Sequence, residues 1–228
     1  MKSIFVTGTD TGVGKTVTAA ALLVALREQG LDTVPMKPVQ TGCEVSDDRL
    51  LVPDLDACLG AGGLVVSDEE RALMCPYMYE PACSPHLAAE LAGGEISLDE
   101  IVDCFTTLEK KHGSVVVEGA GGIMVPVCGD LTMLDLMVRL GLPVVLVARP
   151  GLGTINHTLL SLDVLKRAEL TIAGVVLCEA ERIDRGFIEE DNVRSIERFG
   201  KVPILGTIPF MDHLDPLTMA GMVEIDPA

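Results

Sequence analysis

A glycine-rich stretch near the N-terminus carries the strongest chemical signal in the sequence. It spans residues 8–16, GTDTGVGKT, between an apolar run that predicts a strand and a segment that predicts a helix. Glycines let the backbone fold tightly with its N–H groups pointing inward, and a helix N-terminus adds a positive dipole end. Lys15 can then reach the β- and γ-phosphates of a nucleotide, and the Thr16 hydroxyl can bind Mg²⁺. Five residues separate Gly8 from Gly14, one more than in the usual phosphate loop.

Carboxylates that could complete a Mg²⁺ site occur in two places. Glu118 ends the apolar run 115–117, so it lies at the carboxyl end of a predicted strand, where open parallel sheets bind ligands. Asp54 and Asp56 follow Pro53 in a less regular region, and the residue types alone do not choose between them. A metal held with a nucleotide usually takes such a carboxylate in addition to the loop threonine.

A second lysine, Lys37, stands at the end of another predicted strand. There it faces the same edge of the sheet as the glycine-rich loop, and its charge could neutralise an anion in a transition state. A lysine that extends from a strand edge into water explains the pattern equally well. A further glycine turn at 152–154 leads into a predicted helix, whose free N–H groups could hold a carboxylate, although Thr154 as a plain N-cap is the simpler interpretation.

The elements that must position these residues alternate regularly along the chain. Six predicted strands separated by helices indicate an α/β fold, with a mostly parallel central sheet and helices on both faces, as in P-loop NTPases. Residues 42–74 are the least regular part, with room for one more short strand. The composition shows no linker, so we expect one domain over residues 1–228. Strands are predicted at 3–6, 33–37, 115–118, 144–147, 172–177 and 204–208, and helices at 15–29, 85–91, 98–112, 135–140, 154–168 and 190–199.

Composition excludes several classes of function. The chain has 34 acidic and 17 basic residues, a net charge of −17, which repels phosphate backbones and anionic lipid headgroups and argues against nucleic-acid or membrane binding. No apolar run reaches the ~18 residues that span a bilayer, and the N-terminus lacks a signal-peptide pattern, so a cytoplasmic protein is expected. The seven cysteines form no CxxC pair, which favours reduced thiols over disulfides or a zinc site.

Four separated motifs together resemble the dethiobiotin synthetase family. They are GTDTGVGKT at 8–16, KPVQTG at 37–42, VEGAGG at 117–122 and LGTINHT at 152–158, in the order and approximate spacing of that family. The resemblance spans about residues 3–210 and accounts for the additional residue in the glycine-rich loop.

The resemblance implies an enzyme, a cyclo-ligase that uses ATP, Mg²⁺ and CO₂ to convert 7,8-diaminononanoate into dethiobiotin, the penultimate step towards biotin. It implies that one amine takes up CO₂ to form a carbamate and that a carbamate oxygen attacks the γ-phosphate. The resulting carbamic–phosphoric anhydride then loses phosphate as the second amine closes the ring.

The resemblance also implies roles for individual residues. Lys37 would be the catalytic lysine beside the carbamate, with Lys15 as a second catalytic cation, and Thr11 and Thr41 would lie beside the substrate amines or the carbamate. The implied Mg²⁺ ligands are Thr16, Asp56 and Glu118, and Asp56 is preferred to Asp54 because Asp-Ala at 56–57 is similar to the family's motif. The implied ATP-binding residues are Gly12, Val13, Gly14, Lys15, Thr16, Val17, Asp56, Glu118, Gly119, Ala120, Gly121, Cys178, Glu179, Ile208, Pro209 and Phe210.

Members of the family are homodimers in which the substrate carboxylate binds at a helix N-terminus of the other subunit. The matching residues here are Leu152, Gly153, Thr154, Ile155 and Asn156. This implication favours a binding role for Thr154 over a plain N-cap. The expected partners are therefore the small-molecule substrates and a second copy of the chain.

One departure from the family concerns the nucleobase. Some members carry an asparagine that contacts the adenine edge where this sequence has Cys178. A thiol is a poor substitute for a carboxamide, which donates and accepts hydrogen bonds at once. We therefore expect weak discrimination between ATP and other nucleotides.

The alternative interpretation is a regulatory or partitioning ATPase of the related phosphate-loop class, in which the nucleotide acts as a switch. Such proteins often carry a second lysine early in the loop, and some add a basic amphipathic tail. Here residues 9–13 contain no lysine, and the C-terminal segment is acidic, with Glu224 and Asp226. Both features favour the synthetase.

Overall fold

The computed structural model describes residues 2–46, 49–182, 186–211 and 215–225, so Asp226 of the acidic C-terminal segment lies outside the described residues. The strands are β1 (Ile4–Gly8), β2 (Thr33–Met36), β3 (Val39–Thr41), β4 (Val45–Ser46), β5 (Arg49–Leu50), β6 (Tyr77–Tyr79), β7 (Ser114–Gly122), β8 (Pro126–Cys128), β9 (Leu131–Thr132), β10 (Val144–Ala148), β11 (Ile172–Cys178) and β12 (Ile204–Ile208). The helices are α1 (Lys15–Glu28), α2 (Pro53–Ala61), α3 (Asp68–Met74), α4 (Pro85–Leu91), α5 (Leu98–His112), α6 (Met133–Leu140), α7 (Thr154–Arg167), α8 (Phe187–Gly200) and α9 (Pro216–Ala220).

Within these residues, six strands form a parallel sheet in the order β12-β11-β10-β1-β7-β2. They are the six strands that the sequence predicts, and the α/β prediction is confirmed. The chain runs to one edge through β2 and β7 and to the other through β10, β11 and β12, with β1 between the two halves. In such sheets ligands bind at the carboxyl ends of the strands, where the strand order reverses.

Helices cover both faces of the sheet because its central strands are apolar along their whole length. Successive side chains of β1 point to opposite faces. Phe5 packs with the buried residues of α5 and α6, whereas Ile4 and Val6 pack with those of α1 and α9. This double coverage explains why the strands are continuous apolar runs rather than alternating ones.

The segment 42–74 differs most from the sequence-based prediction, which allowed only one short strand there. It contains the short antiparallel pair β4–β5 and the helices α2 and α3. Pro53 is at the start of α2, and the Ser67 hydroxyl caps α3 by accepting a hydrogen bond from the Glu70 N–H. Both are ordinary helix-start signals, so these helices were visible in the sequence.

Among the described residues, no helix is both long and apolar enough to cross a membrane. Helix α8 begins at Phe187, three residues before its predicted start, and β7 continues to Gly122. The extension of β7 matters for function because it brings the glycines after Glu118 alongside Gly8 at the end of β1.

Candidate active site

The glycine-rich loop connects β1 to α1 in a conformation that requires its glycines. Gly12 and Gly14 have left-handed φ angles of 71° and 95°, and Gly14 directly precedes α1. A Cβ atom on Gly14 would lie 2.3 Å from Cys178 Sγ, so the loop packs where only hydrogen fits. Lys15 Nζ donates to the Asp10 carbonyl at 2.9 Å, which folds the lysine back along the loop.

Four charged or hydroxyl groups meet beside this loop. Lys37 Nζ lies 2.7 Å from Glu118 Oε1 and 2.6 Å from Asp54 Oδ2, and it donates to the Gly119 carbonyl at 3.2 Å. The Thr16 hydroxyl donates to the same Glu118 oxygen at 3.0 Å. Because the Lys37 and Glu118 side chains are only 5% and 4% exposed, these contacts form in a poorly hydrated environment.

Burial and neighbouring charges set the protonation of these groups. Burial alone would lower the pKa of Lys37, but the carboxylates of Glu118 and Asp54 outweigh it and raise that pKa, so Lys37 is a cation. Burial, together with the nearby charge of Lys37, lowers the pKa of Lys15 to about 8. Burial would raise the pKa of Asp54, but Lys37 lowers it overall, whereas burial raises the pKa of Glu118 despite the same lysine. A polyanion bound in this cleft would stabilise the protonated form of Lys15.

The carboxylate of α2 that enters this cluster is Asp54, whereas Asp56, which the family resemblance favoured as a metal ligand, lies outside it. Asp56 forms an ion pair with Arg71 on α3 and accepts a hydrogen bond from the Val52 N–H at 3.2 Å. Side chains two residues apart on an α-helix point in directions about 200° apart, so Asp54 and Asp56 cannot share a face of α2. Cys58, one turn after Asp54, lies 3.9 Å from the Thr16 carbonyl through its Sγ, which identifies the face of α2 that meets the loop.

The residues present fit a Mg²⁺ ion. Glu118 Oε2 is buried and has no hydrogen-bond partner among the described residues, which leaves a carboxylate oxygen available beside Thr16 and Asp54. The described part of the chain has no group of three or more His, Cys, Asp or Glu residues arranged to hold a metal. Mg²⁺ is usually held by one or two protein carboxylates together with substrate phosphates and water, and Glu118 and Asp54 could supply the carboxylates.

A cleft of about 790 Å³ opens at this edge of the sheet. Most of the predicted residues line it: Thr11, Gly12, Gly14, Lys15, Thr16, Val17, Lys37, Thr41, Glu118, Ala120, Gly121, Cys178, Glu179, Pro209 and Phe210. Val13 and Ile208 do not, because their side chains are buried in the core, and Gly119 contributes its carbonyl to Lys37 instead. Asp54, the other candidate carboxylate, also lines the cleft. The sequence-based prediction omitted the remaining lining residues: Val39, Gln40, Ala82, Cys83, Ser84, Pro85, Val125, Ala180 and Met211.

Cys178 contacts the phosphate loop through its side chain. Its Sγ atom packs against Gly14, and burial raises the pKa of this thiol to about 11, so it is neutral. The neighbouring Glu179 carboxylate accepts a hydrogen bond from the Phe210 N–H at 3.1 Å. This bond ties the end of β11 to the segment after β12 and shapes a wall of the cleft.

The predicted substrate loop lies at a second cavity of about 510 Å³. Leu152, Gly153 and Thr154 line this cavity, but Ile155 and Asn156 do not. The Thr154 hydroxyl is buried and lies 3.3 Å from the Thr158 hydroxyl. Thr154 therefore does not present its side chain as an exposed anion ligand.

Sequence reasoning missed two residues that hold this loop. Arg149 Nη2 donates to the Thr11 carbonyl of the phosphate loop at 3.2 Å. Asn192 on α8 donates to the Pro150 carbonyl at 2.7 Å. A polar residue in an amphipathic helix ordinarily faces water, so no local signal distinguishes Asn192.

Known proteins resemble this chain over most of its length. A family model described as an AAA domain matches residues 2–218. The chain is 38% identical over 214 residues to "ATP-dependent dethiobiotin synthetase BioD" of Anoxybacillus flavithermus (strain DSM 21510 / WK1), covering 93% of this chain and 94% of that protein. It is 46% identical over 177 residues to the protein of the same name from Anaeromyxobacter dehalogenans (strain 2CP-C), covering 78% of this chain and 76% of that one.

A solved structure supports the fold. The ParA family ATPase from Chlorobium tepidum TLS superimposes with a TM-score of 0.58 at 14% identity, covering 96% of this chain and 97% of that one. At this identity the likeness shows the fold alone, which is that of the P-loop NTPases, as predicted. The two relatives described above carry the synthetase name, and the prediction of an enzyme is confirmed. The chain therefore belongs to the ATP-dependent dethiobiotin synthetase family.

Proposed function

We propose that this protein forms dethiobiotin from 7,8-diaminononanoate, CO₂ and ATP in biotin biosynthesis, with Mg²⁺ as its cofactor. The observation that carries the proposal is the position of Lys37, a buried ammonium in contact with Glu118 and Asp54 beside the phosphate-loop residue Thr16. The names of the relatives supply the reaction. A homodimer in the cytoplasm is part of the same proposal.

The phosphate loop would hold the triphosphate. Backbone N–H groups of residues 12–17 and the dipole of α1 favour anions at this position. Lys15 is costly to keep charged in the cleft, as its pKa of about 8 indicates, so the charge of the β- and γ-phosphates would stabilise it. The free energy gained there contributes to nucleotide affinity.

Three oxygen ligands of this chain would hold Mg²⁺. They are the Thr16 hydroxyl and the carboxylates of Asp54 and Glu118, with the unpartnered Glu118 Oε2 as an available donor. When bound, the ion neutralises charge on the β- and γ-phosphate oxygens. Asp54 would be the metal ligand in place of Asp56, which the family resemblance had favoured.

Lys37 would bring two anions together. One substrate amine adds to CO₂ and releases a proton to water, which gives the carbamate. A carbamate oxygen bonds to the γ-phosphorus as ADP leaves with the electron pair of the broken P–O bond. The second amine then bonds to the carbamate carbon, loses a proton to water and expels phosphate. Because Glu118 and Asp54 raise its pKa, Lys37 stays positive and lowers the repulsion between carbamate and γ-phosphate.

Threonine side chains and a second protomer would orient the diamine. Thr11 and Thr41 line the cleft and can bond to the amines or the carbamate. The loop at Leu152–Asn156 would bind the carboxylate of the substrate held by the partner protomer, as the family resemblance implies. Both contacts fix the reacting nitrogen relative to the nucleotide.

The direct test is a reaction with the purified protein. It is incubated with diaminononanoate, bicarbonate, Mg²⁺ and ATP, and products are followed by mass spectrometry and phosphate release. We expect a product in which one carbonyl group replaces two amine hydrogens of the diamine, with phosphate released in equal amount. ATP hydrolysis that does not depend on the diamine would instead favour the switch-ATPase alternative.

Lys37→Ala should abolish this turnover while MgATP still binds, because the phosphate loop itself is unchanged. The buried carboxylate of Glu118 and the half-buried one of Asp54 lose their counter-ion, so unfolding must be measured in parallel. Lys37→Arg keeps the charge and serves as the folded comparison, but its planar fork cannot place a point charge at the same position. Retained turnover in Lys37→Ala would remove this residue from the chemistry.

A further inference from the structure

Asn192 is a buried carboxamide on a helix that otherwise exposes polar side chains. It is 4% exposed, and its Nδ2 donates to the carbonyls of Pro150 and Gly151 at 2.7 and 3.3 Å. A buried amide is unfavourable unless its N–H groups are bonded, so this pairing is specific. Its two acceptors belong to the loop between β10 and α7.

That loop reaches the phosphate loop as well as α8. Arg149, at its start, donates to the Thr11 carbonyl at 3.2 Å. At its end, the Thr154 N–H donates to the Gly151 carbonyl at 3.2 Å, and Gly153 precedes α7 with a left-handed φ of 91°. The Gly151 carbonyl therefore accepts from both Asn192 and Thr154, which ties the start of α7 to α8.

We propose that Asn192 is a positioning residue, which holds this loop in the conformation that binds the carboxylate of the substrate in the partner protomer. The proposal rests on the proposed function, which assigns Leu152–Asn156 to that carboxylate. Asn192 acts through the carbonyls of Pro150 and Gly151 and does not itself touch the substrate.

The chemistry of the amide indicates the informative variants. Asn192→Asp keeps the shape but replaces the Nδ2 donor by an oxygen that faces two carbonyl oxygens and repels them. Asn192→Ser is smaller, creates no repulsion, and is too short to bond to the Pro150 carbonyl; it serves if the aspartate variant does not fold. Ser195→Ala is the matched control, because its hydroxyl donates only within α8, to Asp191 at 3.2 Å.

Steady-state kinetics test the effect on the substrate. For Asn192→Asp we expect the KM for diaminononanoate to rise roughly tenfold, with kcat and the KM for ATP within about twofold of the parent protein. The carboxylate-free analogue 7,8-diaminononane should show an unchanged kcat/KM in the variant. An equal loss with both diamines, or an unchanged KM for diaminononanoate, would overturn the positioning role.

Amide hydrogen exchange separates this proposal from the proposed function. Without substrates, exchange in peptides covering 149–154 should be roughly tenfold faster in Asn192→Asp than in the parent protein or Ser195→Ala. Unchanged exchange would refute the contact's role whatever the enzyme's activity. If exchange increases but the parent protein makes no dethiobiotin, the proposed function fails, and with it the assignment of this loop to a carboxylate.

Discussion

The two aspartates of α2 show how much chemistry depends on single side-chain directions. Asp54 forms an ion pair with Lys37 and a hydrogen bond with Thr16. Asp56 instead forms an ion pair with Arg71 and accepts a hydrogen bond from the Val52 N–H at the start of α2. The first is in a position to assist a metal and the second stabilises an element. Their roles are therefore separable by experiment.

Matched asparagine variants test this assignment. Asp54→Asn should raise the Mg²⁺ concentration that gives half-maximal turnover by about tenfold or more, because one carboxylate ligand loses its charge. Asp56→Asn should leave that concentration unchanged and lower the free energy of unfolding by about 1 kcal/mol or less, as expected for a partly exposed ion pair. Titrations of activity with Mg²⁺ and denaturant unfolding measure the two effects. The opposite pattern would restore Asp56 as the ligand.

Cys178 is a second residue whose role depends on direction. Its Sγ packs against Gly14, so the side chain is occupied by the phosphate loop. Base recognition would then depend on backbone groups near Pro209 and Phe210, which line the cleft. Such contacts distinguish nucleobases less well than a carboxamide does.

We therefore predict similar rates with ATP, GTP and CTP, within about tenfold of one another. Cys178→Ser, which preserves size, should not change the ratio of these rates. The measurement is kcat/KM for each nucleotide at saturating diaminononanoate. A preference for ATP of about a hundredfold would contradict the prediction and indicate a specific contact with adenine.

At the scale of elements, α2 and α3 are held in place by ion pairs at the edge of the sheet. Arg71 of α3 pairs with Asp56 of α2, and Glu70 pairs with Lys111 and His112 at the end of α5. His112 also bonds to Asp32, which precedes β2. Because α2 carries Asp54, these distant pairs contribute to the geometry of the site.

The Glu70 contacts predict how stability depends on pH. A hydrogen bond from Lys111, with a smaller contribution from His112, lowers the pKa of Glu70 in the folded protein, although burial opposes this effect. The unfolded chain therefore binds more protons as the pH falls, and the stabilisation from Glu70 is lost below its ordinary pKa of about 4.3. Glu70→Gln should reduce the steepness with which unfolding free energy falls between about pH 5 and 3. Glu90→Gln, at an exposed position on α4, is the control; equal slopes in all three proteins would contradict the prediction.

At the scale of the whole molecule, two surface features stand out: the distribution of charge and the exposure of two large apolar side chains. The net charge of −17 is carried mainly by the surface, whereas in the cleft Lys15 and Lys37 lie beside the carboxylates of Glu118 and Asp54. Leu152 and Phe187 are 92% and 81% exposed, which is unusual for residues of their size.

These exposed residues lead to a prediction about assembly. We expect a homodimer of twice the 24.2 kDa chain mass, measurable by light scattering during gel filtration. Phe187→Asp should shift the protein towards monomer and reduce diaminononanoate turnover, while MgATP binding by each chain persists. Ser195→Ala should remain dimeric. A monomer with full activity would refute the shared site.

Local patterns account for most of the fold and for half of the site. The six apolar runs predicted the six sheet strands, since a parallel sheet buried on both faces requires continuous apolar residues. The glycine spacing at 8–14, followed by Lys15 and Thr16, predicted the phosphate loop, because its left-handed positions demand glycine. These features depend on neighbours in sequence, so the sequence alone determined them.

Tertiary packing decided the rest. Whether Asp54 or Asp56 meets Lys37 depends on which face of α2 packs against α1, and that is set by contacts with residues far away in the chain. The same holds for Cys178 against Gly14 and for Asn192 against Pro150. The partners in each pair are much further apart in the sequence than one helix turn or one strand. A pattern of that length therefore contains no information about which distant residue it will contact.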